Sequence, residues 1–357
     1  MGSLPNVTEL AKMLGVSPAS VSRALNGKPG LNTELRSRIL SEASRLNVSL
    51  NGAARSLSTS QTNTVCFAVH HLASPLSADP FYGEISHGLQ QELRAQGYQV
   101  LVSTLTDAEV AEPDTWAVVR ERRVDGVVLA SPFIPARFIL ALVTRNVPVI
   151  LVDNALENVQ VDVVVGDDRG GACKVAEHVL KLGHQRIVIL SGPKDWFTNN
   201  ARCAGFRDAL ANRGLEPVAE LHAEATTIQA GRELMAAALK HRPTAVLTIN
   251  DAMAMGAINA AASLGVRIPD DLTITGFDDI DLAKDWSVPL TTVRQFKQHL
   301  GRAAGRQLLA RIAEPEGPHQ RITLETELMV RASSGPVPKS AAKSPAKSAP
   351  KIRGGRS

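Results

Sequence analysis

The stretch GVSPASVSRALNG, residues 15–27, begins with the signals of a helix start. Ser17 is a good N-cap, because its hydroxyl can accept an unpaired amide proton of the first turn. Pro18 then fits the first helical position, where no N–H is needed. Val21, Ala24 and Leu25 fall at helical spacing and can bury against neighbours. Pro18, Ala19, Ser22, Arg23 and Asn26 are left on the opposite side. A merely solvated face would usually carry Glu and Lys; this one is short, slim and rich in hydrogen-bond donors.

The preceding segment explains the arrangement. Asn6 or Thr8 can cap a helix through NVTELAKMLG, with Val7, Leu10, Ala11 and Leu14 on one face. Gly15 stands where the chain must turn sharply. Two short helices joined by a glycine-containing turn predict a helix-turn-helix, whose second helix is slim enough for the DNA major groove. A third amphipathic stretch, 32–46, offers Leu35, Ile39, Leu40, Ala43 and Leu46 to close a three-helix core.

At 357 residues the chain is long enough for two or three domains. With 44% hydrophobic and 21% charged residues it has the composition of a soluble globular protein. No apolar run reaches the roughly 18 residues of a membrane span, and no signal peptide opens the sequence, so a cytoplasmic protein is expected. The three cysteines, Cys66, Cys173 and Cys203, are scattered and include no C-x-x-C, which fits buried free thiols in a reducing compartment. Charge is strongly segregated. Residues 1–60 hold seven Lys/Arg against three Glu; residues 334–357 hold six Lys/Arg and no acid. The stretch between them carries 26 basic and 32 acidic residues. Two basic ends around an acidic middle imply that the ends meet a polyanion and the middle does not.

Beyond residue 60 the pattern becomes β-runs alternating with helices. Runs at 64–71, 98–104, 125–131, 147–153, 186–192, 244–250 and 272–278 are rich in Val, Ile and Leu with little polar alternation. They predict strands buried on both faces of parallel sheets. Helical stretches are expected at 81–96, 115–123, 136–146, 169–182, 200–213, 228–241 and 251–264, which makes a doubly wound α/β fold. About 270 residues of this pattern suffice for two lobes, and ligands in such sheets bind outside the carboxyl ends of the strands. Between the regions, NGAARSLSTSQT (51–62) is nearly helical yet too short to be stable alone, and suits folding on a partner. The last 24 residues, with four Pro, no Leu and Lys every four residues, cannot bury a core.

Enzyme signatures fail. No G-x-x-x-x-G-K-[ST] loop, G-x-S-x-G elbow or H-E-x-x-H is present. His178 and His184 are misspaced for one helical face and lack metal-site companions. The adjacent acids Asp167–Asp168 and Asp278–Asp279 suit caps or contacts to a polar ligand better than a catalytic dyad. No catalytic residue, metal or cofactor is expected.

VTELAKMLGVSPASVSRALNG followed by NGAARSL closely resembles the DNA-binding headpiece and hinge of the lactose/galactose-repressor (LacI/GalR) family of bacterial transcription regulators. The similarity continues through most of 5–333, in DPFYGEISHGLQ, RVDGVVL, VPVILVD, LGHQRIVILSGP, ARCAGF, RPTAVLTINDAMAMGA, GVRIPDDLTITGFDD and PLTTVRQ. The resemblance implies an all-α helix-turn-helix headpiece (1–50) and a hinge helix and linker (51–62). A two-lobed α/β core similar to a periplasmic sugar-binding protein (63–333), crossed by three chain passages, and a disordered basic tail (334–357) complete the expected organisation. It further implies a cytoplasmic homodimeric regulator, a repressor by that likeness, on a pseudo-palindromic double-stranded operator, controlled by a small-molecule effector. The alternative is a sugar-binding protein or α/β enzyme whose basic head has another use.

By the same resemblance, Pro18, Ala19, Ser22, Arg23 and Asn26 match the groove-contacting positions. Ser17 and Asn26 would meet phosphates, and Arg23 can reach a guanine edge bidentately. Leu57 matches the hinge leucine that wedges into the minor groove, with Ala54 beside it. The family's Tyr-x-Pro-Asn before the hinge is here Val48-Ser49-Leu50-Asn51, which should make the hinge harder to order. Effector positions fall on Phe81, Tyr82, Asp153, Trp196, Thr198, Arg202, Asn250 and Asp278. Arg202 and Asp278 are expected to clamp hydroxyls from both sides, Asn250 to add a donor and an acceptor, and Trp196 or Phe81 to stack on a pyranose. That mix favours a carbohydrate over a nucleobase. Thr226 stands where an aromatic is frequent. Tetrameric relatives end in a leucine-heptad helix that residues 334–357 lack, so a dimer is expected.

Overall fold

The computed structural model describes residues 6–25, 27–46, 48, 61–70, 79–156 and 158–338. The chain divides into two compact units, residues 1–64 with 117–125 and residues 65–116 with 126–357.

In the first unit, Asn6 is the cap that is used. Its side chain accepts the Thr8 and Glu9 amides ahead of α1 (Val7–Leu14), and Glu9 accepts the Asn6 amide in return. Gly15 ends that helix at φ +66°, with its N–H on the carbonyls of Ala11 and Lys12, a conformation glycine adopts without steric penalty. Ser17 Oγ accepts the Ser20 amide at 3.1 Å and starts α2 (Pro18–Leu25). Asn32 accepts the Leu35 amide at 2.7 Å and starts α3 (Thr33–Arg45). Leu10, Ala11, Val21, Ala24, Ile39, Ala43 and Val48 form the buried core. Leu40, expected inside, is 42% exposed. The core takes Ile39 and Ala43, one helical turn apart, and the neighbouring position points outward.

The second unit is built on two parallel sheets. The first has the order β2-β1-β3-β4-β5-β11, with β1 Thr64–Val69, β2 Gln99–Thr104, β3 Gly126–Ala130, β4 Val149–Val152, β5 Asp162–Gly166 and β11 Arg321–Leu324. Register is parallel at Val65↔Gly126, Val127↔Val149, Leu151↔Val163 and Arg321↔Val163. The second sheet runs β7-β6-β8-β9, with β6 Ile187–Ser191, β7 Ala219–His222, β8 Ala245–Thr248 and β9 Thr273–Thr275, also parallel. A small antiparallel pair joins β10 (Thr292–Arg294) to β12 (Glu327–Met329).

This order makes the chain pass between lobes three times: after β5, between β10 and the helix Lys297–Ala313, and between β11 and β12. Each lobe has its own apolar core, one centred on Phe67, Val128, Ile150 and Leu308, the other on Ile189, Leu247, Phe206 and Phe277. Helices Tyr82–Ala95 and Lys297–Ala313 pack backbone to backbone. A Cβ on Gly88 would run into the Gln298 carbonyl oxygen, and one on Gly301 into that of Ile85.

Several expectations need correction. Strand β2 is a sheet edge, half to fully exposed along its length, so it is not buried on both faces as its apolar run suggested. The helix expected at 115–123 is a single turn, Ala117–Arg120, preceded by a 3₁₀ turn at Pro113–Thr115. Cys66 and Cys203 are buried, but Cys173 is half-buried, its thiol donating to the Gly205 carbonyl. The tail does not begin at 334. His184 Nε2 lies 2.9 Å from the Gly335 carbonyl oxygen, His178 bonds Ser334 Oγ, and the Val337 amide donates to Leu182 at 3.1 Å. These bonds tie residues 334–337 to the core; residues 339–357 lie outside the described residues.

Candidate functional site

In the first unit, α2 leaves Ser17, Pro18, Ala19 and Arg23 exposed and Ser22 half-buried, because Val21 and Ala24 hold the opposite face in the core. The Arg23 carbonyl accepts the Lys28 amide at 3.0 Å, closing the turn after the helix. Val48, where the resemblance places an aromatic anchor, is buried in the three-helix core. Asn26, Ala54 and Leu57 lie outside the described residues.

In the second unit, a cavity of about 650 Å³ opens at the carboxyl ends of the strands of both lobes. Phe81, Tyr82, Asp153, Trp196, Thr198, Arg202, Asn250 and Asp278 all line it, as does Thr226. Topology explains the convergence: Asp153 follows β4, Asn250 follows β8 and Asp278 follows β9. Helices starting at Phe197 and Tyr82 bring in the aromatic residues.

Arg202 is 4% exposed and is gripped on several sides. Its Nε donates to Asp168 Oδ1 at 2.7 Å and its Nη1 to the Ile249 carbonyl at 2.6 Å. Nη1 also lies 3.1 Å from Asp278 Oδ1, and the guanidinium carbon stands 4.0 Å from the centre of the Phe277 ring. Arg202 and Asp278 are therefore paired on one wall and do not clamp a ligand from opposite sides. The Nη2 group makes no hydrogen bond among the described residues, which leaves two N–H donors. Burial opposes the charge on Arg202, but the charges of Asp278, Asp168 and Asp153 hold its pKa above the usual value.

The carboxyls pay for crowding in the opposite direction. Burial raises Asp278 and Asp168 above the ordinary carboxylate range despite Arg202. Burial, then the charge of Asp168, pushes Asp153 up to about 8. Tyr82 Oη donates to Asp153 Oδ2 at 2.7 Å, while Asp153 Oδ1, also buried, has no partner. Burial and the nearby carboxylates push the Tyr82 phenol well above 10. Asp153 (φ +60°) and Asp278 (φ +109°) both stand in left-handed backbone, strain of the kind that collects at ligand sites.

Asn250 has a different task from the one expected. Its Oδ1 accepts the Met253 amide at 2.9 Å as a helix cap, and its Nδ2 donates to the Thr226 carbonyl at 2.9 Å. Both polar ends are thus committed to the protein. Phe81 is 8% exposed and stacks edge-on to Tyr82, so the half-buried Trp196 offers more open ring surface. Lining residues that sequence reasoning missed include Asp79, Glu224, Gln229 and Met255. Asp79 had a readable signal in Asp-Pro before an aromatic pair: its Oδ1 accepts the Phe81 and Tyr82 amides at 3.0 and 2.7 Å. Of the adjacent acids, Asp167 caps a helix and Asp279 is paired with Arg294 and Arg331. No group of three potential metal ligands occurs among the described residues, and no helix there is long and apolar enough to cross a membrane.

A helix-turn-helix head followed by a two-lobed, cleft-bearing α/β core defines a class: transcription regulators with a periplasmic-binding-protein-like ligand domain. Residues 176–334 match the family model of a periplasmic binding protein-like domain. The HTH-type transcriptional repressor PurR of Mannheimia succiniciproducens is 31% identical over 92% of this chain and 98% of its own length. A transcriptional regulator CelR–cellobiose complex is similar with a TM-score of 0.72 at 28% identity, over 92% of this chain and all of the other. A regulatory protein of the LacI family from Chloroflexus aggregans gives 0.69 at 28% identity, over 76% of this chain and 99% of the other. The chain belongs to the lactose/galactose-repressor family of transcription regulators. The relatives are regulators, which sets aside the enzyme alternative.

Proposed function

We propose that this protein is a cytoplasmic repressor that binds a pseudo-palindromic operator as a homodimer and is controlled by a carbohydrate-type effector held between the lobes of its core. The observation that carries the effector reading is a pair of unused hydrogen-bonding groups in one cavity. Asp153 Oδ1 is a buried carboxyl oxygen without a partner, and Arg202 Nη2 is a donor without one among the described residues. A polyol supplies both a donor and an acceptor at each hydroxyl, and Trp196 offers its ring to an apolar sugar face. The cellobiose complex of the CelR relative supports the same ligand class.

On DNA, the exposed Ser17, Pro18, Ala19 and Arg23 support base and phosphate contacts by α2, with Ser22 and Asn26 completing that face. Ala54 and Leu57 act in the hinge, Leu57 as a minor-groove wedge. The Lys/Arg-rich stretch 339–357 adds contacts to phosphates without sequence preference. Two-fold proteins read two-fold sites, and an effector shifts operator affinity through its different affinity for two arrangements of the lobes. Selection from a random DNA pool, with and without a panel of sugars, tests this. An enriched palindrome whose recovery responds to a sugar is expected; no enriched palindrome under any condition refutes the regulator reading.

A further inference from the structure

The cleft is unbalanced in charge. Among its described lining residues, Asp79, Glu224 and Asp278 are acids beside Asp153, which keeps its proton up to about pH 8, and Arg202 alone is basic. That one cation is already bracketed by Asp278 within the wall and by Asp168 behind it. The nearest buried amine, Lys297, is turned away from the cavity. Its Nζ donates to the Asp278 and Asp279 carbonyls at 3.0 and 2.9 Å and lies 3.5 Å from Glu84.

Helix starts also reach the cleft, and their partial positive charge would favour an anion. Among the described residues five helices start at cavity-lining residues: Thr227 caps Ile228–Lys240, the short Asp281–Asp285 carries an acid in its first turn, and two more starts are occupied. Asp79 holds the amides at the start of Tyr82–Ala95, and Asn250 caps Asp251–Ser263, whose first turn carries a further acid, Asp251. Phe197–Ala211 starts without a side-chain cap, in a cavity that Asp79, Asp153, Glu224 and Asp278 also line. A phosphate or carboxylate entering here would meet like charge and find only the Nη2 of Arg202, whose charge Asp168 and Asp278 already balance, to receive it.

From this geometry we infer that the cleft selects polyhydroxy ligands without negative charge, neutral or aminated, and excludes phosphorylated and carboxylated ones. The inference rests on the effector reading above, but its electrostatic half can be measured without any effector.

Trp196 lines the cavity and reports on it. Collisional quenching by caesium chloride and by potassium iodide is compared in the wild type and in Trp196→Phe, so that the difference isolates this ring from Trp116 and Trp286. Caesium is expected to quench the Trp196 share at least about twofold more strongly than iodide. Glu224→Gln, an exposed and structurally mild change, should narrow that gap. Calorimetry then compares glucose, glucosamine and cellobiose with glucose 6-phosphate and glucuronate. Every neutral or aminated sugar that binds should exceed its acidic counterpart by at least about tenfold. Iodide quenching Trp196 as well as caesium overturns the inference, as does an acidic sugar binding as tightly as its neutral parent. If no sugar binds, the effector reading fails and the quenching comparison decides the charge selectivity by itself.

Discussion

Arg202 Nη1 stands 3.1 Å from Asp278 Oδ1, and the two residues come from different segments that meet on one wall of the cleft. With Asp168 on the other flank, the guanidinium is the centre of a buried ionic cluster before it is anything to a ligand. Removing one partner of such a cluster leaves uncompensated buried charge, which typically costs about 3–5 kcal/mol. Arg202→Met should therefore lower the midpoint of urea unfolding markedly as well as weaken effector binding. A variant with wild-type unfolding and lost effector binding would show that the cluster contributes little to stability.

Asp153 offers a pH test. Its folded-state pKa of about 8 lies above the unfolded value near 3.9, so between those values the folded protein holds a proton that the unfolded chain has released. The stability this group contributes is fully present below the unfolded pKa and is lost as pH rises toward 8. At its steepest the loss approaches about 1.4 kcal/mol per pH unit. Asp153→Asn removes the titration, so the stability difference between wild type and variant should shift in favour of the variant from pH 5 to pH 8. Parallel stability curves over that range would mean that Asp153 is ionised throughout.

The helices Tyr82–Ala95 and Lys297–Ala313 touch at Gly88 and Gly301, where no side chain fits against the opposing carbonyl oxygens. Forcing a methyl into well-packed space costs about 1–3 kcal/mol, occasionally more. Gly88→Ala should depress the thermal midpoint although alanine is the better helix former, whereas alanine at exposed Arg94 on the same helix should not. Equal midpoints for the two variants would contradict the close approach.

What sequence reading recovered, and what it did not, follows from how local each signal is. The head was legible because its instructions are local: Asn6, Gly15, Ser17 and Asn32 cap or turn within three residues of themselves. Most central strands were legible because burial on both faces leaves unbroken Val/Ile/Leu runs, although β5, DVVVG and equally buried, was not foreseen. Strand β11, RITL, was missed because it is short and alternates exposed with half-buried residues. The helix Lys297–Ala313 was missed because its buried face includes Lys297, Gln307 and Arg311. Arg311 is held there by Asp162, 149 residues away, a partner that no local window contains.

The cleft shows the same division. Its lining positions were legible through the family resemblance, and those just past strand ends, Asp153, Asn250 and Asp278, stand where such sheets bind ligands. Their tasks were not. Asn250 serves the start of its own helix, a local bond that its position before Asp251 could have suggested. The Arg202–Asp168 pairing spans 34 residues and exists because two helices, Asp168–Lys181 and Phe197–Ala211, pack side by side.

Arg23 is exposed on α2 and is the strongest donor on its outward face. A bidentate contact to a guanine edge discriminates by about 1–3 kcal/mol. Arg23→Ala should weaken operator binding by that amount and flatten the preference at one base pair per half-site. Equal weakening on operator and random DNA, measured by competition, would make Arg23 a phosphate contact.

The last prediction concerns residues 339–357, which carry all six Lys/Arg of the chain's end. Residues 334–337 are bonded to the core through His178, His184 and Leu182, so a cut before them would confound electrostatics with folding. The informative truncation therefore ends at Pro338. Each phosphate neutralised adds about 0.9 to the slope of log affinity against log salt. Partial engagement of six charges per chain predicts that truncation lowers the slope by about two to four. Because such contacts ignore sequence, affinities for operator and random DNA should fall by similar factors, leaving their ratio nearly intact. An unchanged salt slope in the truncated protein would remove the tail from DNA binding and leave recognition to α2 and the hinge.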